Sequence, residues 1–186
     1  VEEAEVRYAL ARALQDLGDH EMANAQFAAL LDLVAASSRV HTLKARAHLA
    51  LGEWWRQQYQ QVFLLAPLKP NLKEKSTRLL RAQGHFEQAA DSGISGITTE
   101  ATYHLASLNA DFARSLIDSE RPSGMSIEEL EEFELLLEDQ AFPFEEAAIA
   151  QYRVNLGRMA KGLNDRWVVA SLDALRKLSP ARFTNH

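Results

Sequence analysis

The sequence contains no cysteine, which excludes disulfides, thiol catalysis and cysteine-based metal sites. It also lacks any apolar run near the roughly 18–20 residues that a membrane-spanning helix needs. No basic segment followed by an apolar one occurs near Val1, so no signal peptide is expected. A start at Val1 rather than at methionine favours a processed chain or one cut from something longer.

Basic residues are too few for a nucleic-acid-binding module. Lysine and arginine number 20 against 26 acidic residues, which gives a net charge of −6, whereas such modules usually carry a basic surface. Motifs for catalysis are absent as well: there is no glycine-rich phosphate loop, no nucleophile elbow and no Glu-x-x-His pair. We therefore expect neither an enzyme nor a bound cofactor.

Histidines offer no convincing metal site. His41 and His48 stand two helical turns apart, about 10 Å, which is too far to share one ion. Glu100 and His104 have i, i+4 spacing, but a single pair of this kind is common by chance. No metal is expected.

Apolar residues recur at helical spacing throughout, and no segment alternates with the two-residue period of a strand. Ser126 and Glu129 form a capping-box signature at one helix start, and Pro143 is expected in the first turn of the next helix. The predicted helices cover about 1–17, 20–36, 38–51, 53–66, 71–83, 86–90, 98–118, 126–139, 143–160 and 164–178, where Pro180 ends the last.

Three glycines recur at a nearly constant interval. Gly18, Gly52 and Gly84 are 34 and 32 residues apart, and each is expected to turn the chain between two antiparallel helices. Seven residues before each glycine stands a small side chain, which would let the two helices approach closely; these are Ala11, Ala45 and Thr77.

The segments ARALQDLGDHEMANAQF (11–27) and LLRAQGHFEQAA (79–90) resemble the tetratricopeptide repeat. The resemblance covers roughly residues 4–93 and departs from the pattern at Gln57, Gln61 and Gly93. It implies an all-α fold, a right-handed superhelical array of antiparallel hairpins. The expected organisation is about three hairpins over 1–93, the third degenerate, followed by a helical cap over 94–186 that is continuous with the array.

A second segment, SERPSGMSIEELEEFELLLEDQAFPFEEAAI (119–149), looks similar to the C-terminal end of long bacterial tetratricopeptide proteins of the cell envelope. This resemblance implies a fragment of a larger bacterial protein. It favours the periplasm or cell envelope over the cytoplasm, although the residues themselves leave the compartment open.

Arginines follow the repeat. Arg12, Arg46 and Arg78 each stand six residues before a glycine, and Arg81 falls on the same helix face as Arg78. The resemblance places this face in a concave groove, where guanidinium groups could bind carboxylates of a partner peptide. Tyr8, Leu49 and Trp55 would add apolar contacts. Alternatively, the arginines are solvated or pair with Glu5, Asp16 and Glu74.

An acidic stretch occupies 126–152, where nine carboxylates occur without lysine or arginine. Three interpretations stay open: a solvated face, a docking surface for a basic partner, or a segment that folds back onto the arginines. The residues predicted for a docking surface are Glu128, Glu131, Glu132, Glu138 and Asp139. Separately, of the adjacent Trp54 and Trp55, one is expected in the core and the other as an exposed contact residue.

Two functions are compatible with these patterns. The first is a scaffold or adaptor module that binds a segment of another protein in its groove, as part of a multi-protein complex. The alternative is the structural end of a cell-envelope assembly, which would use its convex face and the acidic helix.

Overall fold

A computed structural model of the chain describes residues 1–178, and all regular structure in this part is α-helical. This confirms the predicted all-α class. Seven helices occur within the described residues: α1 (Glu2–Asp16), α2 (His20–Leu31), α3 (Ser38–Gln60), α4 (Leu68–Ala90), α5 (Ser95–Ile117), α6 (Ile127–Met159) and α7 (Arg166–Leu178).

Consecutive helices pack as pairs joined by short connections, which makes them antiparallel. In addition α1 contacts α3, α3 contacts α5, and α5 contacts α7. No comparable contact joins α2 with α4 or α4 with α6 in residues 1–178. The odd-numbered helices therefore form one continuous layer and the even-numbered helices lie outside it, as in an array of helical hairpins.

Three hydrophobic clusters follow one another along this array. The first joins α1, α2 and α3 around Phe27 and Leu30, and the third joins α5, α6 and α7 around Tyr152 and Leu175. The central cluster extends from Ala45 to Ala141 and includes the fully buried Phe86. Buried residues from both sides of position 93 meet in the central cluster.

Only the first of the three glycines makes the predicted turn. Gly18 follows α1 with φ +81°, a conformation that suits glycine, and the Asp19 carboxylate then caps α2 by accepting from the Met22 N–H at 3.1 Å. Gly52 and Gly84 lie inside α3 and α4, so the turns predicted there are wrong. A single glycine costs a helix only about 1 kcal/mol relative to alanine, which packing readily offsets.

The predicted break at Pro143 is also wrong, because α6 continues through it. Proline removes one backbone hydrogen bond from the helix. Packing on α5 holds the same stretch, because Ala141 is buried and the ring of Phe144 meets that of Phe112 edge-on, with 4.6 Å between the ring centroids. The Ser126–Glu129 capping box is confirmed, with both reciprocal hydrogen bonds formed. The predicted helix 20–36 ends earlier, at Leu31, and Pro180 lies outside the described residues.

Candidate interaction groove

A groove of about 830 Å³ crosses the layer of odd-numbered helices. Its walls are α1, the middle of α3, the beginning of α5 and the beginning of α7. Three aromatic side chains, Tyr8, Trp54 and Trp167, line it together with Leu49. A smaller pocket of about 300 Å³ adjoins it over Trp167 and reaches His104.

Two exposed arginines face this groove from neighbouring helices, Arg12 from α1 and Arg46 from α3. Arg12 donates one hydrogen bond, to the Gln15 side chain at 3.0 Å. Neither arginine pairs with a carboxylate of residues 1–178. Both guanidinium groups can therefore accept an anion without breaking an existing ion pair.

Two of the three acidic residues that line the groove, Glu53 and Asp165, are engaged by the protein itself; the third is Glu100. Arg56 holds Glu53 through two hydrogen bonds of 2.7 Å. Burial alone would raise the pKa of Glu53, but the hydrogen bond and charge of Arg56 lower it. Asp165 caps α7, accepting from the N–H groups of Trp167 and Val168 at 2.9 and 3.1 Å. These carboxylates are thus committed to the fold.

Two aromatic side chains, His104 and Trp167, line the smaller pocket among acidic and basic residues. His104 stacks on Phe86 with 5.0 Å between ring centroids, and Trp167 lies 5.0 Å from it on another side. Burial lowers the pKa of His104 to about 4, so the imidazole is neutral at pH 7. Burial also raises the pKa of the adjacent Glu100.

A buried polar network holds α7 against α5 and α6 and so fixes the groove wall that Trp167 forms. Asn155 on α6 is fully buried and donates to the Thr99 carbonyl at 3.0 Å and to the Ser171 hydroxyl at 2.9 Å. The Thr99 hydroxyl donates in turn to Asp165. Because these buried polar groups form hydrogen bonds with one another, the network fixes the position of α7.

Of the predicted groove residues, the structure brings together Tyr8, Arg12, Arg46 and Leu49. Arg78 instead binds Glu74 at 2.7 Å and donates to the Gln58 carbonyl at 2.6 Å. Arg81 lies over the Trp55 ring at 4.4 Å. None of Arg78, Arg81 and Trp55 lines the groove. The reason is topological: Gly52 makes no turn, so the predicted second hairpin is largely the single helix α3, and the two arginines lie on α4, an even-numbered helix.

Trp54 and Trp55 are both half-buried and meet edge-on at 4.6 Å. The prediction of one core and one exposed tryptophan is therefore wrong. Trp55 faces a second groove of about 690 Å³ on α2 and α3, where Leu31 and Leu51 also lie.

The five residues predicted for the acidic surface lie in the first half of α6 and are exposed. None lines the groove, so the alternative in which this segment folds back onto the arginines is wrong. Their positions are Glu128, Glu131, Glu132, Glu138 and Asp139.

Sequence reasoning missed Trp167, Arg166 and Glu53 as groove residues, and it missed Arg56 as the partner of Glu53. Trp167 and Arg166 reach the groove only because α7 packs on α5, and no local pattern signals that contact. His48 was paired above with His41 because of their spacing in the sequence. Its neighbour in the structure is His85 on α4, with 3.1 Å between the two Nδ1 atoms.

No family model, curated protein or solved structure matches this chain. Among residues 1–178 no helix combines the length and hydrophobicity needed to cross a membrane. The same residues contain no cluster of three or more histidine or carboxylate side chains that could hold a metal ion.

Proposed function

We propose that this chain is a protein-interaction module, a right-handed tetratricopeptide-like array of hairpins that α6 and α7 close at one end. Its groove binds a segment of a partner protein. The contacts of α1 with α3, α3 with α5 and α5 with α7 support this architecture, because arrays of this kind line their binding face with alternate helices.

The observation that carries the proposal is that the arginines of the groove lack ion-pair partners while most of its carboxylates have partners. Arg12 and Arg46 have no carboxylate partner among the described residues, whereas two of the three groove carboxylates, Glu53 and Asp165, are already bound. The segment that complements this groove carries carboxylates toward Arg12 and Arg46 and an apolar or aromatic side chain toward Tyr8, Trp54 and Trp167. Arginine recognises carboxylates bidentately, and aromatic side chains dominate binding energies at interfaces.

Selection from a displayed library of random peptides tests this proposal. We expect the intact protein to enrich sequences that combine Asp or Glu with apolar residues. The double variant Arg12→Ala/Arg46→Ala should bind the selected peptides at least about tenfold more weakly, since charge-assisted hydrogen bonds at an interface typically contribute more than 1.4 kcal/mol. Fluorescence polarisation at two salt concentrations measures the loss, which should shrink at high salt.

Lys69→Ala/Lys73→Ala is the matched control, because it removes the same charge from two exposed positions on α4 outside the groove. The control should bind as the intact protein does. Equal losses in the two double variants would reduce the effect to net charge and contradict groove binding, as would a selection that returns no acidic sequences.

A further inference from the structure

The outer face of α6 exposes two large apolar side chains at heptad spacing. Leu135 is 62% exposed and Phe142 is 61% exposed. Seven residues bring a helix back to nearly the same face, so the two side chains project from one side, about 10 Å apart. Two exposed apolar side chains on one helix face form a stripe that a second helix can cover.

Carboxylates flank both apolar residues at the same offsets. Each apolar residue has an acidic residue four and three positions before it and three and four positions after it. On a helix these four positions are adjacent to it. For Leu135 these are Glu131, Glu132, Glu138 and Asp139, and for Phe142 they are Glu138, Asp139, Glu145 and Glu146. None of these six carboxylates forms an ion pair with another described residue.

The opposite side of the same segment is what attaches it to the molecule. Leu137 and Ala141 are buried, and Phe144 packs on Phe112 of α5. The helix is also capped at its start by Ser126. The outer seam of Leu135 and Phe142 thus lies on a helix that is held in place from its opposite side.

We propose that this outer face of α6 binds a basic amphipathic helix of another protein. The partner carries apolar residues at heptad spacing, which pack between Leu135 and Phe142, and lysines or arginines on both sides of them, which meet the six carboxylates. Such a contact lays the apolar face of one helix on the apolar stripe of another and pairs opposite charges on both sides of it. A second copy of this chain does not fit, because its own α6 would place like charges opposite these carboxylates.

Two synthetic peptides of about three heptads test the proposal. In the first, leucines occupy heptad positions a and d and lysines occupy e and g. The second has the same composition and charge, but its leucines are distributed around the helix. We expect the intact protein to bind the in-register peptide at least about tenfold more tightly, as measured by fluorescence anisotropy at physiological salt.

The variant Leu135→Ala/Phe142→Ala should lose about tenfold or more in affinity for the in-register peptide while keeping every carboxylate. Both sites are exposed and alanine is a good helix former, so the variant keeps its fold, which circular dichroism checks. Leu80→Ala is the matched control, since Leu80 is 67% exposed on α4, and it should bind unchanged. Arg12→Ala/Arg46→Ala should also bind unchanged, which separates this face from the groove.

Equal affinity of the intact protein for the two peptides would overturn the proposal, because net charge alone would then explain binding. So would undiminished binding by Leu135→Ala/Phe142→Ala. Binding of neither peptide would overturn it as well.

Discussion

Replacing Gly52 with alanine is expected to lower the free energy of unfolding by about 2 kcal/mol, even though alanine is the better helix former. A Cβ atom at this position would lie 2.8 Å from two ring carbons of Phe86. That ring is fully buried and stacks on His104, so it cannot swing aside. Crowding in a close-packed core costs about 1–3 kcal/mol and outweighs the gain in helix propensity.

Gly84→Ala is the matched control and should change stability in the opposite direction. Gly84 also lies inside a helix, but nothing stands within 4 Å of where its Cβ would be. Alanine there removes conformational freedom from the unfolded chain, so the free energy of unfolding should rise by about 0.5–1 kcal/mol. Urea denaturation of the two variants measures both changes. Two changes of the same sign would contradict the packing described for Gly52.

The two glycines show where prediction from this sequence succeeds and where it fails. Gly18 in LGD and Gly52 in LGE have nearly the same neighbours. The first follows the end of a helix, and the second lies within a helix, where the ring of Phe86, 34 residues further on, packs against it. Local sequence shows only that a helix can end at either glycine. Whether the helix does end there depends on tertiary packing, which the neighbouring residues do not reveal.

The groove residues show the same contrast between what the local sequence predicts and what tertiary packing decides. Arg12 and Arg46 could be placed on one surface from sequence because α1 and α3 are both first helices of hairpins and the spacing from the glycines matches there. The match fails for Arg78, because α3 and α4 are each 23 residues long and α4 is not a first helix. Capping signatures were reliable by contrast, since Ser126 and Glu129 interact with each other and need no distant partner.

Acidification should destabilise the protein between about pH 6.5 and pH 4, and His104 should contribute much of this loss. Burial lowers the pKa of His104 to about 4, from an ordinary value near 6.5, against the opposing charge of Glu53. In this window the unfolded chain therefore binds a proton at residue 104 that the folded chain does not. The contribution of His104 to the free energy of unfolding is therefore fully present above pH 6.5 and is lost as the pH falls toward 4.

The magnitude follows from the same values. A pKa lowered from 6.5 to about 4 corresponds to about 3 kcal/mol, and the His104 side chain is only 13% exposed, so solvent screens little of it. Burial and the neighbouring His85 lower the pKa of His48 to about 4 in the same direction. Glu100 and Asp111 act oppositely, because burial raises their pKa values and the folded state then takes up protons more readily.

The variant His104→Phe isolates one residue from this sum. Phenylalanine keeps the aromatic contacts with Phe86 and Trp167 and has no proton to bind. The free energy of unfolding of the variant should therefore fall by about 3 kcal/mol less than that of the intact protein between pH 7 and pH 4. His20→Phe, at an exposed position, serves as the control and should follow the intact protein. Parallel curves for the intact protein and His104→Phe would show that His104 titrates alike in the folded and unfolded states, which its burial beneath Trp167 does not permit.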